Sequence, residues 1–219
     1  MTFSLFGFPV DIQPPAFLLA GVVFLWGLST GTALSYLVSL IAVGAVSILV
    51  HELGHATSAR AFGAGPVSIS LHGMGGATRH RRTGVWWKEV LIILAGPSAG
   101  FVLAAVCALF LLAPLPPTAR GVVEMGVLLN VAWGIFNLLP LFPMDGGQAL
   151  AYGLHAVVHP LTAWTIAHVM GLVTAVALAL YAFNAGSLWI ALIVGMFAYQ
   201  NWQGLQHIQH LRKQAEQAA

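Results

Sequence analysis

The sequence predicts an all-α polytopic membrane protein with about six transmembrane helices and a small β-sheet or hairpin at the membrane surface. Three observations lead there. Only 6% of the 219 residues are charged and 59% are hydrophobic, against about 25% charged in an average soluble domain. The mean hydropathy is +0.89. The apolar residues also fall into runs near the ~20 residues that a bilayer-spanning helix needs, separated by Pro, Gly and polar positions.

Before the first span, Phe6, Phe8, Val10 and Ile12 alternate with other residues up to Pro14-Pro15. A period of two marks a strand. The first span, 15–28, is short; the second, 33–60, ends in a charged cluster. After Pro66, Val67, Ile69 and Leu71 alternate again, so a second short strand and a small surface sheet are expected. The third span, 86–113, opens on Trp86-Trp87, a residue type suited to membrane interfaces. The fourth, 119–139, stops at Pro140, the fifth, 161–183, follows Pro160, and the sixth is 186–205. Arg60, Arg79, Arg81, Arg82 and Lys88 lie between spans two and three, Arg212 and Lys213 follow span six, and only Arg120 falls on the other side. Cytoplasmic loops collect Lys and Arg, so both termini and the side carrying 60–88 are expected in the cytoplasm.

The N-terminal "MTFSLFGFPVDIQPP" lacks the basic region of a secretory signal, so it is expected to be retained. No repeat, long linker or separate soluble module is visible. The expectation is one domain over 1–219, with a core at 33–150, C-terminal spans at 161–205 and a short cytoplasmic tail at 206–219. A net charge of +2 offers too few cations for a phosphate-tracking stripe, which excludes nucleic acid as a partner. Cys107 has no partner in the chain for a disulfide and reads as a small buried hydrophobe.

The chemistry concentrates in "SILVHELGHATSAR", residues 47–60. On a helix His51 and His55 share a face one turn apart, so both imidazoles can bind one zinc ion with Glu52 beside it. The alternative is two helix-end histidines and a solvated glutamate. Ionisable groups inside a span are costly and usually functional, which favours the metal. Hydrolytic zinc sites usually have three protein ligands and one open position. Of the other carboxylates, Asp11, Glu89, Glu124 and Glu216 sit near span ends or in tails, whereas Asp145 lies in "NLLPLFPMDGGQAL". There Pro140 and Pro143 break the helix and Gly146-Gly147 allow a close backbone turn, so an inward-packed loop carrying the third ligand is expected.

"HELGH" on an early span, "LAGPSAG" on the next and "NLLPLFPMDGG" later together resemble the site-2 protease family of intramembrane zinc metalloproteases, over roughly 33–150. The chain looks like a short form without a PDZ or CBS domain. The resemblance implies one zinc ion held by His51, His55 and Asp145, Glu52 as catalytic base, and Asn137 as a residue that holds the substrate backbone or the reacting carbonyl. It also implies a transmembrane protein substrate in the lipid bilayer, cleaved within or beside its membrane helix. Regulation would then come from a partner, either a membrane protein or a second copy, from the substrate or from the membrane. The expected location is the prokaryotic cell membrane. Two departures are visible: Phe142 stands where many members have proline, and Gln148 where arginine is frequent.

"GPVSISLHGMGGATRHRR", residues 65–82, reads either as an edge strand that holds an extended substrate or as a plain connector. Gly96, Pro97 and Gly100 read as helix-packing residues. His72, His80, His155, His159, His207 and His210 are not expected to bind metal, and His168 reads as a hydrogen-bonded helix contact. Two rival functions remain: a metal-ion transporter, which needs ligands along a path and no base, and an inactive relative that binds membrane helices without cutting them.

Overall fold

The computed structural model describes residues 1–73 and 75–217. The chain divides into two compact units, 1–83 with 95–135 and 84–94 with 136–219.

The first unit begins with a hairpin of β1 (Thr2–Leu5) and β2 (Phe8–Ile12). Phe6 was expected in the strand; instead Phe6 and Gly7 both take positive φ, 50° and 75°, and form the tight turn whose twist suits a two-residue hairpin. After α1 (Pro14–Ser29) and α2 (Leu34–Ala61), the chain returns as β3 (Ser68–His72), parallel to β2 with Val10 opposite Ile69. β4 (Gly75–Arg79) pairs antiparallel to β3, giving the order β1-β2-β3-β4 with β4 at an edge. This last strand lies where the sequence reads as a glycine-rich turn. Position 74 of that turn lies outside the described residues.

Alternation along the strands then decides the packing. Phe8, Val10 and Ile69 turn to one face of the sheet and form a core with Ala56 of α2, flanked by Leu49, Leu53 and Val67. The sheet is thereby seated on the second half of α2. Arg60, in the last turn of α2, stacks 3.4 Å over the Phe8 ring and donates to the Phe6 carbonyl at 3.1 Å. Most of α3 (Trp86–Phe110) and α4 (Pro117–Asn137) complete this unit; Pro97 is buried within α3.

The second unit holds α5 (Asp145–Leu154), α6 (Pro160–Asn184) and α7 (Leu188–Gln217). Ala163, Ala167, Gly171 and Ala175 recur every four residues along α6 and are buried. Small side chains on one stripe let helices approach closely in a membrane. Leu141, Ala175, Val194 and Phe197 form the core around which α6 and α7 pack.

All six expected spans are helices, but four have the length and apolarity to cross a bilayer: α2, α3, α4 and α6. α1 has 16 residues, about 24 Å of helix against a hydrocarbon core of about 30 Å. In α7 the apolar run from Leu188 is interrupted at Gln200, Asn201 and Gln203. That helix also continues to Gln217, so the expected tail is helical; positions 218 and 219 lie outside the described residues. Large apolar side chains are exposed along the spanning helices, among them Val102, Val106 and Leu109 on α3 and Val169, Val173 and Leu180 on α6. Such surface is costly in water and ordinary against lipid.

Candidate metal centre

Helical spacing places His51, Glu52 and His55 in consecutive turns of α2, and all three are buried, at 4%, 4% and 8% exposure. The two imidazoles meet edge to face, centroids 4.8 Å apart, with their Nε2 atoms 3.1 Å from each other. Two nitrogens bound tetrahedrally to one zinc at its usual bond length stand about 3.3 Å apart. The histidine pair therefore fits a zinc ion in spacing and in donor type. One ligand atom from each of His51, Glu52 and His55 lies within 4.8 Å of the others; among the described residues no other trio of His, Cys, Asp or Glu gathers in this way.

The surroundings explain how three polar groups are held in an apolar helix. Gly96 of α3 lies against the His55 ring: a Cβ there would overlap the imidazole, coming within 2.8 Å of Cδ2. The first glycine of "LAGPSAG" thus has a more specific duty than helix packing, because it leaves room for a candidate ligand. On the other side β4 covers Glu52. Thr78 Oγ1 donates to Glu52 Oε2 at 2.7 Å and lies 3.0 Å from the Glu52 carbonyl oxygen. A Cβ at Gly76 would fall 2.6 Å from Glu52 Oε1. One turn before His51, buried Ser47 accepts a 2.9 Å hydrogen bond from buried Asn130 of α4, whose amide also reaches the Gly126 carbonyl at 2.8 Å. A satisfied polar pair of this kind ties two helices together where water is scarce.

Asp145 and Asn137 belong to the second unit. Asn137 is the last residue of α4 and buried. Asp145 is also buried, and it starts α5 where a loop was expected. A helix N-terminus favours a carboxylate, since the first N–H groups point outward with partial positive charge. The expected close approach of the glycines holds: a Cβ at Gly147 would sit 2.7 Å from the Leu141 carbonyl carbon, and one at Gly146 would strike the Leu138 carbonyl.

Sequence reasoning missed Asn201. This fully buried α7 residue donates from Nδ2 to the Phe142 carbonyl at 2.9 Å and to the Phe197 carbonyl at 2.8 Å, while its Oδ1 accepts from the Phe142 N–H at 3.4 Å. The amide pairs with both backbone groups of Phe142, three residues before Asp145. The sequence offered little signal, because Asn201 lies among Gln200, Gln203 and other polar residues where the apolar run of α7 ends. His168 stacks on the Phe142 ring at 4.2 Å, with Trp164 5.5 Å from the same ring. Both departures in the loop thus have local partners, since Gln148 Nε2 donates to the Pro143 carbonyl at 3.3 Å. His159 caps α6 by accepting from the Leu161 N–H at 3.3 Å, and His210 bonds Gln214 at 2.9 Å.

A Synechocystis sp. protein named as a zinc metalloprotease is 29% identical over 160 residues, 67% of this chain and 42% of its own length. A zinc metalloprotease of Methanocaldococcus jannaschii is 29% identical over 201 residues, 90% of this chain and 57% of its own. The chain spans about half the length of these curated relatives. The solved site-2 protease from Methanocaldococcus jannaschii matches 94% of each chain with a TM-score of 0.68 at 23% identity, which shows a shared fold. Peptidase family M50 matches residues 38–117 and 115–181, a stretch containing His51, Glu52, His55, Asn137 and Asp145. Since that match covers more than half of its length, the chain belongs to peptidase family M50, the family of the site-2 proteases.

Proposed function

We propose that this chain is an intramembrane zinc endopeptidase that cleaves membrane-anchored, single-span regulatory proteins within or beside their transmembrane helix. One observation carries the reading: the buried His51–Glu52–His55 cluster, with two ligand nitrogens 3.1 Å apart, on an apolar helix of a family M50 chain. In this reading Asp145 is the third ligand of one zinc ion and Asn137 holds the substrate backbone or the reacting carbonyl. The chain acts as one intramembrane domain, with α1 and α7 as further spans and both termini cytoplasmic in a prokaryotic cell membrane. Its control comes from a partner, either a membrane protein or a second copy, from the substrate or from the membrane.

Held by these residues, zinc would supply a Lewis acid that polarises the peptide carbonyl and acidifies the attacking water. Glu52 takes a proton from the attacking water as the new C–O bond forms, and returns it to the amine nitrogen as the C–N bond breaks. A helical substrate hides its carbonyls in internal hydrogen bonds, so it must first be drawn out. β4 suits that task, being an edge strand whose Gly76 and Thr78 lie on Glu52. A peptide added to that edge would run about 4.8 Å from β4. Its carbonyls would then pass beside the base. Co-expression with tagged single-span proteins encoded near this chain, with and without Glu52→Gln, tests the reading: a fragment must appear only with the unaltered glutamate.

A further inference from the structure

We propose that Thr78 is a positioning residue for the base: its hydroxyl fixes the Glu52 carboxylate and ties its orientation to the strand along which substrate is held. The proposal rests on the reading of Glu52 as base and of β4 as the substrate edge. Two residues apart on β4, Gly76 and Thr78 turn to the same side, and both meet Glu52. The 2.7 Å separation of Thr78 Oγ1 from Glu52 Oε2 is that of a charge-assisted hydrogen bond. The same hydroxyl lies 3.0 Å from the Glu52 backbone carbonyl, so a single proton serves the side chain and the helix beneath it.

The other half of the carboxylate is located by shape. A Cβ on Gly76 would come 2.7 Å from Glu52 Cδ and 2.6 Å from Oε1, so the carboxylate lies where only a glycine leaves it room. One oxygen is thus held by a donor and the other by contact. Thr78 Oγ1 binds Oε2 and not Oε1, which in this reading leaves Oε1 to accept the proton from water. A glutamate has three side-chain torsions, and proton transfer needs its oxygen within hydrogen-bond reach of the water. The strand supplies the restraint that α2 lacks. Because Thr78 sits on the edge strand, 26 residues from Glu52 in sequence, a shift of β4 when a peptide adds to it is passed to the base through one hydrogen bond.

Two substitutions separate this role from packing. Thr78→Val keeps the branched shape and strand preference and removes the hydroxyl; Thr78→Ser keeps the hydroxyl and removes the methyl. The purified proteins, with Glu52→Gln as reference, are assayed in detergent over a range of concentrations of a single-span reporter, and their zinc is measured by elemental analysis. The expected result for Thr78→Val is a kcat at least about tenfold lower, with KM and zinc content unchanged. Thr78→Ser is expected to stay within about threefold of the unaltered protein. Normal kcat in Thr78→Val beside an inactive Glu52→Gln overturns the proposal alone. So does zinc loss in Thr78→Val, or an equal defect in Thr78→Ser, since either assigns the residue to packing. Normal turnover by Glu52→Gln overturns the reading of the base, and this proposal with it.

Discussion

Replacing Glu52 with Gln changes one atom of the candidate site. Burial of the side chain, at 4% exposure, keeps bulk water from taking its place. The glutamine carbonyl can still accept the Thr78 hydroxyl, which donates to Oε2 at 2.7 Å in the unaltered chain, so the side chain should stay where it is. What is lost is the capacity to accept a proton at neutral pH. A positioned general base contributes about a hundredfold to ten-thousandfold; the lower figure corresponds to about 2.7 kcal/mol of barrier. Since His51 and His55 are untouched, zinc per protein should not fall, and substrate should still bind. The assay is paired: zinc by elemental analysis, and cleavage of a membrane-embedded reporter in detergent. A fall in turnover of at least about a hundredfold is expected. Normal cleavage by the zinc-loaded variant would refute the base role and leave room for an ion carrier, in which a glutamine outside the ligand set need not stop transport.

Alanine at His51, His55 or Asp145 should lower bound zinc and abolish cleavage; unchanged zinc and activity in Asp145→Ala would remove that residue from the ligand set. Gly96→Ala should push His55 aside, because the new Cβ overlaps its ring; chelator competition is expected to report at least about tenfold weaker zinc binding, and unchanged affinity would mean the ring can yield. Asn201→Leu leaves both backbone groups of Phe142 without their amide partner, a cost of about 1–3 kcal/mol for a buried polar group left unsatisfied, so thermal unfolding in detergent should begin at lower temperature. Reporter fusions should place residues 63–84 and the C-terminus in the cytoplasm and 114–118 outside; a cytoplasmic signal from 114–118 would refute six spans.

Composition and local periodicity were enough to find every long helix, because an apolar run near 20 residues has few other uses. They also located β2 and β3, whose Phe8, Val10 and Ile69 alternate toward α2. The histidine pair was legible for the same reason: positions 51 and 55 lie one turn apart on any helix, whatever surrounds it. β4 was not, since Gly75 and Gly76 have poor strand preference and pair only because β3 offers them an edge. α5 was hidden by Gly146-Gly147, which weaken a helix locally and are kept by the tight contact with Leu138 and Leu141.

What the sequence determined by itself, therefore, is the membrane class, the helices and the pair of histidines with their glutamate, all of which depend on residues a few positions apart. Only the tertiary structure decided what holds them. Thr78 reaches Glu52 across 26 residues, Asn130 reaches Ser47 across 83, and Asn201 reaches Phe142 across 59. No periodic pattern records such contacts, because each arises from the packing of separate elements whose polar groups must find partners once water is excluded.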